Sequence, residues 1–272
     1  MNNNKIKYYN MKNFYAAYDF NSDAPYVSKV ETSGFSYPAS STSKPRNSFH
    51  TFRHEGCPVV LPLNSPIFEG DFNQPIVFSG NVVLRANYKP ELPVILKDVK
   101  TNVNLNGKVI TGPVFAEKDG EVLDGASDSY AFWVKPGAEL TIEGDGEVVA
   151  QPADYSMAVW ANGGKAVIKG GKFYNNGDNS DLIYASDGSQ VEIYGGEFHA
   201  NENKGASGTK NRFPALNIKD AHRTNTSITV FGGKFYGFDP ANNVSEGANT
   251  NFVAPGYKSV EVEPEVWEVV AE

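Results

Sequence analysis

Three segments decide the fold: Gly170-Gly171-Lys172-Phe173, Gly195-Gly196-Glu197-Phe198 and Gly232-Gly233-Lys234-Phe235, with a degenerate copy at Asp145-Gly146-Glu147-Val148. Gly146, Gly171, Gly196 and Gly233 follow one another at intervals of 25, 25 and 37 residues. Two equal steps and one longer step describe a repeat with a surface insertion. A short apolar stretch precedes each glycine pair: Leu140-Thr141-Ile142, Ala166-Val167-Ile168, Val191-Glu192-Ile193 and Ile228-Thr229-Val230. A third series lies further upstream, at Ala131-Phe132-Trp133, Ala158-Val159-Trp160, Leu182-Ile183-Tyr184 and Ala215-Leu216-Asn217. Turn formers such as Pro136-Gly137, Asn162-Gly163-Gly164 and Asp187-Gly188 follow members of that series.

Three short strands and three turns in about 25 residues make one coil of a parallel β-helix. The expected fold class is therefore all-β: a right-handed parallel β-helix, a solenoid of about 25-residue coils, with an extended N-terminal arm. Equivalent residues of stacked coils form ladders at the strand spacing of roughly 4.8 Å. Phe173, Phe198 and Phe235 are predicted to be one ladder, with Val148 below it. The glycine pairs read as corners where the chain turns between faces, not as phosphate loops, since no nucleotide-loop spacing occurs.

An earlier coil is read at Val103 to Ile110, around Leu105-Asn106-Gly107-Lys108-Val109. It leaves one insertion between Gly112 and Ser129, and a second falls at the polar segment from Glu202 to Arg212. Both are expected to be loops on one side of the solenoid.

The first sixty residues differ in kind. They hold seven Lys and Arg against four acids, so a chain of net charge −8 divides into a basic arm and an acidic body. The arm is rich in Asn and Ser yet carries Tyr8, Tyr9, Phe14, Tyr15, Tyr18 and Phe20. These are docking candidates for a segment that orders on a partner surface, the alternative being a small irregular domain packed on the first coil. The organisation read is 1–60 docking arm, 61–95 β-rich connector, 96–250 parallel β-helix and 251–272 capping strands. The closing strand, Val260 to Val270, keeps Glu261, Glu263, Glu265 and Glu268 on its outer side.

Several function classes are weighed down by the composition. An acidic body argues against nucleic-acid binding, and no run of 18 apolar residues predicts membrane insertion. The one cysteine, Cys57, reads as a buried thiol. His50, His54, His199 and His222 are too scattered for a metal site. Asp124, Asp128, Asp154, Asp178, Asp181 and Asp187 sit mostly beside Gly, Asn or Ser, where an Asp usually makes an Asx turn. With only Arg212 and Arg223 as arginines in the repeats, no catalytic constellation is assigned, and no enzyme activity, cofactor or metal is expected. Met1 to Lys7 leads into polar residues rather than an apolar core, which reads as lacking a secretory signal.

The opening Lys97-Asp98-Val99 to Asn104–Thr111, and the end from Asn251-Phe252-Val253 through Val260-Glu261-Val262 to Trp267-Glu268-Val269-Val270, resemble β-helical surface and fibre proteins of gut bacteria and their phages. The resemblance spans roughly residues 95 to 272 and stops short of the arm. It implies a homotrimeric phage fibre or spike, attached to capsid or tail proteins by an N-terminal portion and exposed on the virion, with a host surface glycan as a further partner. A body of six or seven coils, about 30 Å of solenoid, favours a capsid-decorating head fibre over a tail spike; a bacterial adhesin is the non-viral alternative. Trp133, Trp160 and Tyr184 are candidates for the trimer face, or alternate members of that series point into the core.

Overall fold

The computed structural model describes residues 78–119, 121–176, 181–200 and 214–272, and the backbone of five two-residue strands further upstream. Of those, Tyr15–Ala16 pairs antiparallel with Thr51–Phe52, Glu31–Thr32 with Phe35–Ser36, and Val59–Val60 runs parallel to Gly80–Val83.

Among the described residues regular structure is almost wholly strand, with one 3-10 turn at Asp220–His222. No described helix is long and apolar enough to cross a membrane. The body is built from three mainly parallel sheets. The first holds Val94–Leu96, Glu121–Val134, Tyr155–Asn162, Ile183–Ser186 and Leu216–Ile218. The second holds Gly80–Val83, Lys100–Asn104, Glu139–Glu143, Lys165–Ile168, Gln190–Ile193 and Ser227–Val230. In the third are Lys108–Thr111, Gly146–Ala150, Lys172–Asn175, Glu197–His199 and Gly233–Tyr236. From Val94 onward the chain visits first, second and third sheet in fixed rotation, five times over.

The register is that of the repeat. Val148, Phe173, Phe198 and Phe235 are successive partners, with Ile110 before them. Leu140, Ala166, Val191 and Ile228 form a second column, and Phe132, Val159, Ile183 and Leu216 a third. All of these are buried in one hydrophobic cluster. Alternation along a strand explains why: every second residue faces the interior, and stacked equivalents touch. The Phe rings lie face to face, Phe173 to Phe198 at 5.0 Å and Phe198 to Phe235 at 4.7 Å, tilted by 7° and 10°.

The glycine pair makes the corner in two distinct ways. A Cβ on Gly195 would sit 2.8 Å from the Lys169 carbonyl oxygen, so the first glycine is needed for close stacking. Gly196 has φ +108°, which a side chain disfavours, so the second is needed for the turn.

Pairing starts upstream of Lys97. Gly80–Val83 lies in register with Lys100–Asn104, and Val94–Leu96 with Phe132–Val134 of the long strand. The insertion between Gly112 and Ser129 is not a plain loop. Phe115–Lys118 and the first half of Glu121–Val134 form an antiparallel hairpin that extends the first sheet outward. At the other end Val266–Ala271 pairs antiparallel with Gly233–Tyr236, and Tyr257–Glu263 pairs outside it. Phe238 and Phe252 are buried there, with Phe238 against Phe235 at 6.2 Å. The exposed edge strand Tyr257–Glu263 carries Lys258, Glu261 and Glu263, charges that discourage pairing with another chain.

Candidate functional site

The outer face of the first sheet carries the chain's main aromatic feature. Because side chains alternate, Phe132 faces the core while its neighbour Trp133 faces out. Its register partners are Ile95 on one side and Trp160, Tyr184 and Asn217 in order on the other. Trp133 and Trp160 stack at 4.8 Å with a 9° tilt, and Tyr184 leans on Trp160 at 6.3 Å.

The hairpin at Phe115–Val134 folds over this stripe. Tyr130 sets its edge on Trp133 at 5.7 Å and on Trp160 at 5.0 Å, and Phe115 packs against Tyr130 at 5.0 Å. Together with Met157 and Val122 they form a second, smaller apolar cluster outside the main core. Trp133 is thereby only 1% exposed, and the Lys135 ammonium lies 4.0 Å above its ring. The two readings of this series thus separate by residue. Phe132, Val159, Ile183 and Leu216 are core, whereas Trp133, Trp160 and Tyr184 lie on the other side. Trp133 cannot serve as a trimer contact, because the chain's own hairpin covers it. Trp160 and Tyr184 remain half-buried, and Tyr155, at the start of the Trp160 strand, is 60% exposed.

Asp128 pins the hairpin and corrects the reading of it as a turn residue. It is buried within a strand and accepts hydrogen bonds from the Tyr130 hydroxyl at 2.6 Å, the Glu117 backbone N–H at 3.0 Å and the Ser127 hydroxyl. Burial, and then the bond to Asp128, push the Tyr130 hydroxyl far above its ordinary pKa. Asp128→Ala is expected to cost about 2–3 kcal/mol, the range for losing bonds to a charged group and stranding their donors. It should also raise iodide quenching of tryptophan fluorescence as the hairpin lifts; unchanged quenching and melting would show that the hairpin is held by its apolar contacts alone.

The far end of the stripe is polar. Asn217 donates to Asp181 Oδ2 at 3.0 Å, while Asp181 Oδ1 is buried with no hydrogen-bond partner among the described residues. Burial pushes the Asp181 carboxyl up to about 7; the Asn217 bond opposes this and the Glu246 charge adds to it. Burial, with the Asp181 charge second, raises Tyr184 to about 12. Glu246 itself is held by the Ile218 backbone N–H at 2.6 Å and by Arg223, which also reaches Asp220 at 2.7 Å. Asp181 is therefore a carboxyl able to keep its proton near neutral pH, not a solvated loop acid.

The other sequence candidates fall as follows. Asp154 and Asp187 are exposed in a bend and a turn. His222 accepts a hydrogen bond at Nδ1 from the Asp187 backbone N–H at 2.9 Å. His199 lies on the outer face of the third sheet between Tyr174 at 4.5 Å and Tyr236 at 4.2 Å. No group of three metal-ligating side chains occurs among the described residues. The docking candidates Tyr8, Tyr9, Phe14, Tyr18 and Phe20 lie outside the described residues, as do His50, His54, Cys57, Asp178 and Arg212; Tyr15 and Asp124 are described by backbone only. Glu246 and the Tyr174, His199, Tyr236 column were not singled out by sequence reasoning. The column had a signal, since each member directly follows a ladder residue, Phe173, Phe198 or Phe235.

No family model, curated protein or solved structure matches the chain.

Proposed function

We propose that the three sheets are the faces of one right-handed parallel β-helix, and that the protein is a bacteriophage virion structural protein. In this reading it is a homotrimeric head fibre that decorates the capsid through its N-terminal arm, with weak adhesion to a host surface glycan. Fixed rotation among three sheets is the progression of a solenoid, and parallel crossovers of this kind are right-handed in nearly all folds. The observation that carries the proposal is the half-buried aromatic stripe of Trp160 and Tyr184, on a body whose C-terminal end is closed by an antiparallel hairpin. A solenoid closed at its end associates side by side, and an aromatic lateral stripe is the surface for it.

Deleting residues 1 to 60 is expected to leave a folded trimer by sedimentation that no longer enters particles. Normal incorporation of the truncated chain would reject the docking arm, and a monomeric body would reject the lateral trimer. Immunogold labelling then separates the two virion readings. Label over the capsid supports the head fibre. Label at the tail tip favours a receptor-binding spike.

A further inference from the structure

The outer face of the third sheet carries two parallel columns. One reads Glu147, Lys172, Glu197, Lys234 and Glu268, alternating in charge at every step. The other reads Thr111, Val149, Tyr174, His199 and Tyr236. From Tyr174 onward the second column is a stack of rings, but Thr111 and Val149 before it are short. The change from Val149 to Tyr174 makes a step in the surface. A groove of about 230 Å³ opens at that step, lined by Glu147, Val149, Tyr174, Asn175 and Asn176.

Its walls are fixed. Tyr174 is backed by the His199 ring at 4.5 Å. Asn175 is buried, its amide donating to the Ser156 carbonyl at 2.7 Å and the Asp181 carbonyl at 3.0 Å, and the Asn176 backbone N–H donates to Ala150 at 3.2 Å. Lys172, the register neighbour of Glu147, leans the other way and pairs with Glu197 at 3.2 Å. Glu147 has no ion pair among the described residues, so its carboxylate is left to accept hydrogen bonds in the groove.

We infer that this groove binds a single pyranose unit of a surface polysaccharide, resting on the adhesion component of the proposed function. An aromatic wall suits the C–H face of a sugar ring, while the Glu147 carboxylate and the amide of exposed Asn176 suit its hydroxyls. The volume is below the roughly 300–1,000 Å³ of sites for drug-sized ligands, which matches one ring rather than a chain segment. A cationic ligand would also suit a ring beside a carboxylate. The Asn176 amide, however, supplies N–H donors that a sugar hydroxyl can use and a cation cannot.

The test is saturation-transfer difference NMR on the full chain with the methyl glycosides of glucose, galactose, rhamnose and N-acetylglucosamine, and with choline as the cationic control. At least one glycoside is expected to receive saturation, with the effect falling about tenfold or more in Tyr174→Ala and in Glu147→Gln, as the loss of a wall or of a charged acceptor requires. Tyr155→Ala, on the first sheet, should leave it unchanged. No transfer to any glycoside, equal transfer in Tyr174→Ala, or transfer to choline in place of the sugars would overturn the assignment. Circular dichroism of the Glu147→Gln chain, an isosteric change at a half-buried position, keeps a binding loss distinct from misfolding. Particle incorporation is scored on the parent chain: a chain that enters particles yet binds no glycoside defeats the groove alone, whereas a chain that binds sugar but is absent from particles defeats the head-fibre reading alone.

Discussion

The Phe198→Asp chain is expected to be recovered as aggregate, or to melt far below the parent. Phe198 is fully buried, its ring sandwiched between Phe173 and Phe235 at 5.0 and 4.7 Å. Removing a core phenylalanine costs about 3–5 kcal/mol even when alanine replaces it. The aspartate adds a charge in an interior whose facing side chains, Phe173 and Phe235 among them, offer it no donor. Against a total stability of about 5–15 kcal/mol, the sum removes most or all of the folded population. Phe198→Leu provides the scale, since keeping an apolar side chain holds the cost to a few kcal/mol. Thermal melts followed by circular dichroism decide the matter. A soluble Phe198→Asp chain with the parent's midpoint would mean that the ring column contributes nothing, and the register built on Val148, Phe173, Phe198 and Phe235 would have to be abandoned.

The parts of this fold legible in the sequence are those where one physical requirement recurs at a fixed phase. Each glycine pair must turn without a Cβ, each following Phe must fill the same interior layer, and each apolar stretch before the pair must face the same core; the three columns follow. The rounds at Gly80–Val83 and Val94–Leu96 were hidden because no glycine pair marks them. The 39 residues from Gly107 to Gly146 also disguise the period.

The hairpin at Phe115–Lys118 was hidden for a different reason. Its strands are antiparallel and local, and they obey none of the repeat's spacing. The orientation of the Trp133 series could not be read at all, because both sides of that strand are apolar, one against the main core and one beneath the hairpin, and the usual alternation is erased. Asp181 looks like a turn acid between Ser180 and Leu182. Its burial, and its bond to Asn217 far along the chain, are tertiary facts that local spacing does not carry.

Asp181 gives the second large effect. With its folded pKa near 7 and an ordinary value of 3.8, the folded chain holds a proton between these limits that the unfolded chain has released. Its contribution is therefore most favourable below about pH 4, and stability is lost as the pH rises through 7. The full difference of about three units corresponds to at most about 4 kcal/mol. Asp181→Asn removes the titration while leaving an oxygen to accept from Asn217. The variant is expected to be much more stable than the parent at pH 8, by up to that amount, and near parity at pH 4. Urea midpoints measured at pH 4, 6 and 8 on both chains isolate the effect, since every other titrating group cancels in the difference between them. A difference that stays constant with pH would show that the carboxyl is ionised in the folded chain at all three values. Tyr184 offers an independent reading, because the Asp181 charge contributes to its raised pKa after burial. Its phenol should titrate at lower pH in Asp181→Asn, visible as an ultraviolet shift, and it does so only if the two side chains face each other across the polar end of the stripe.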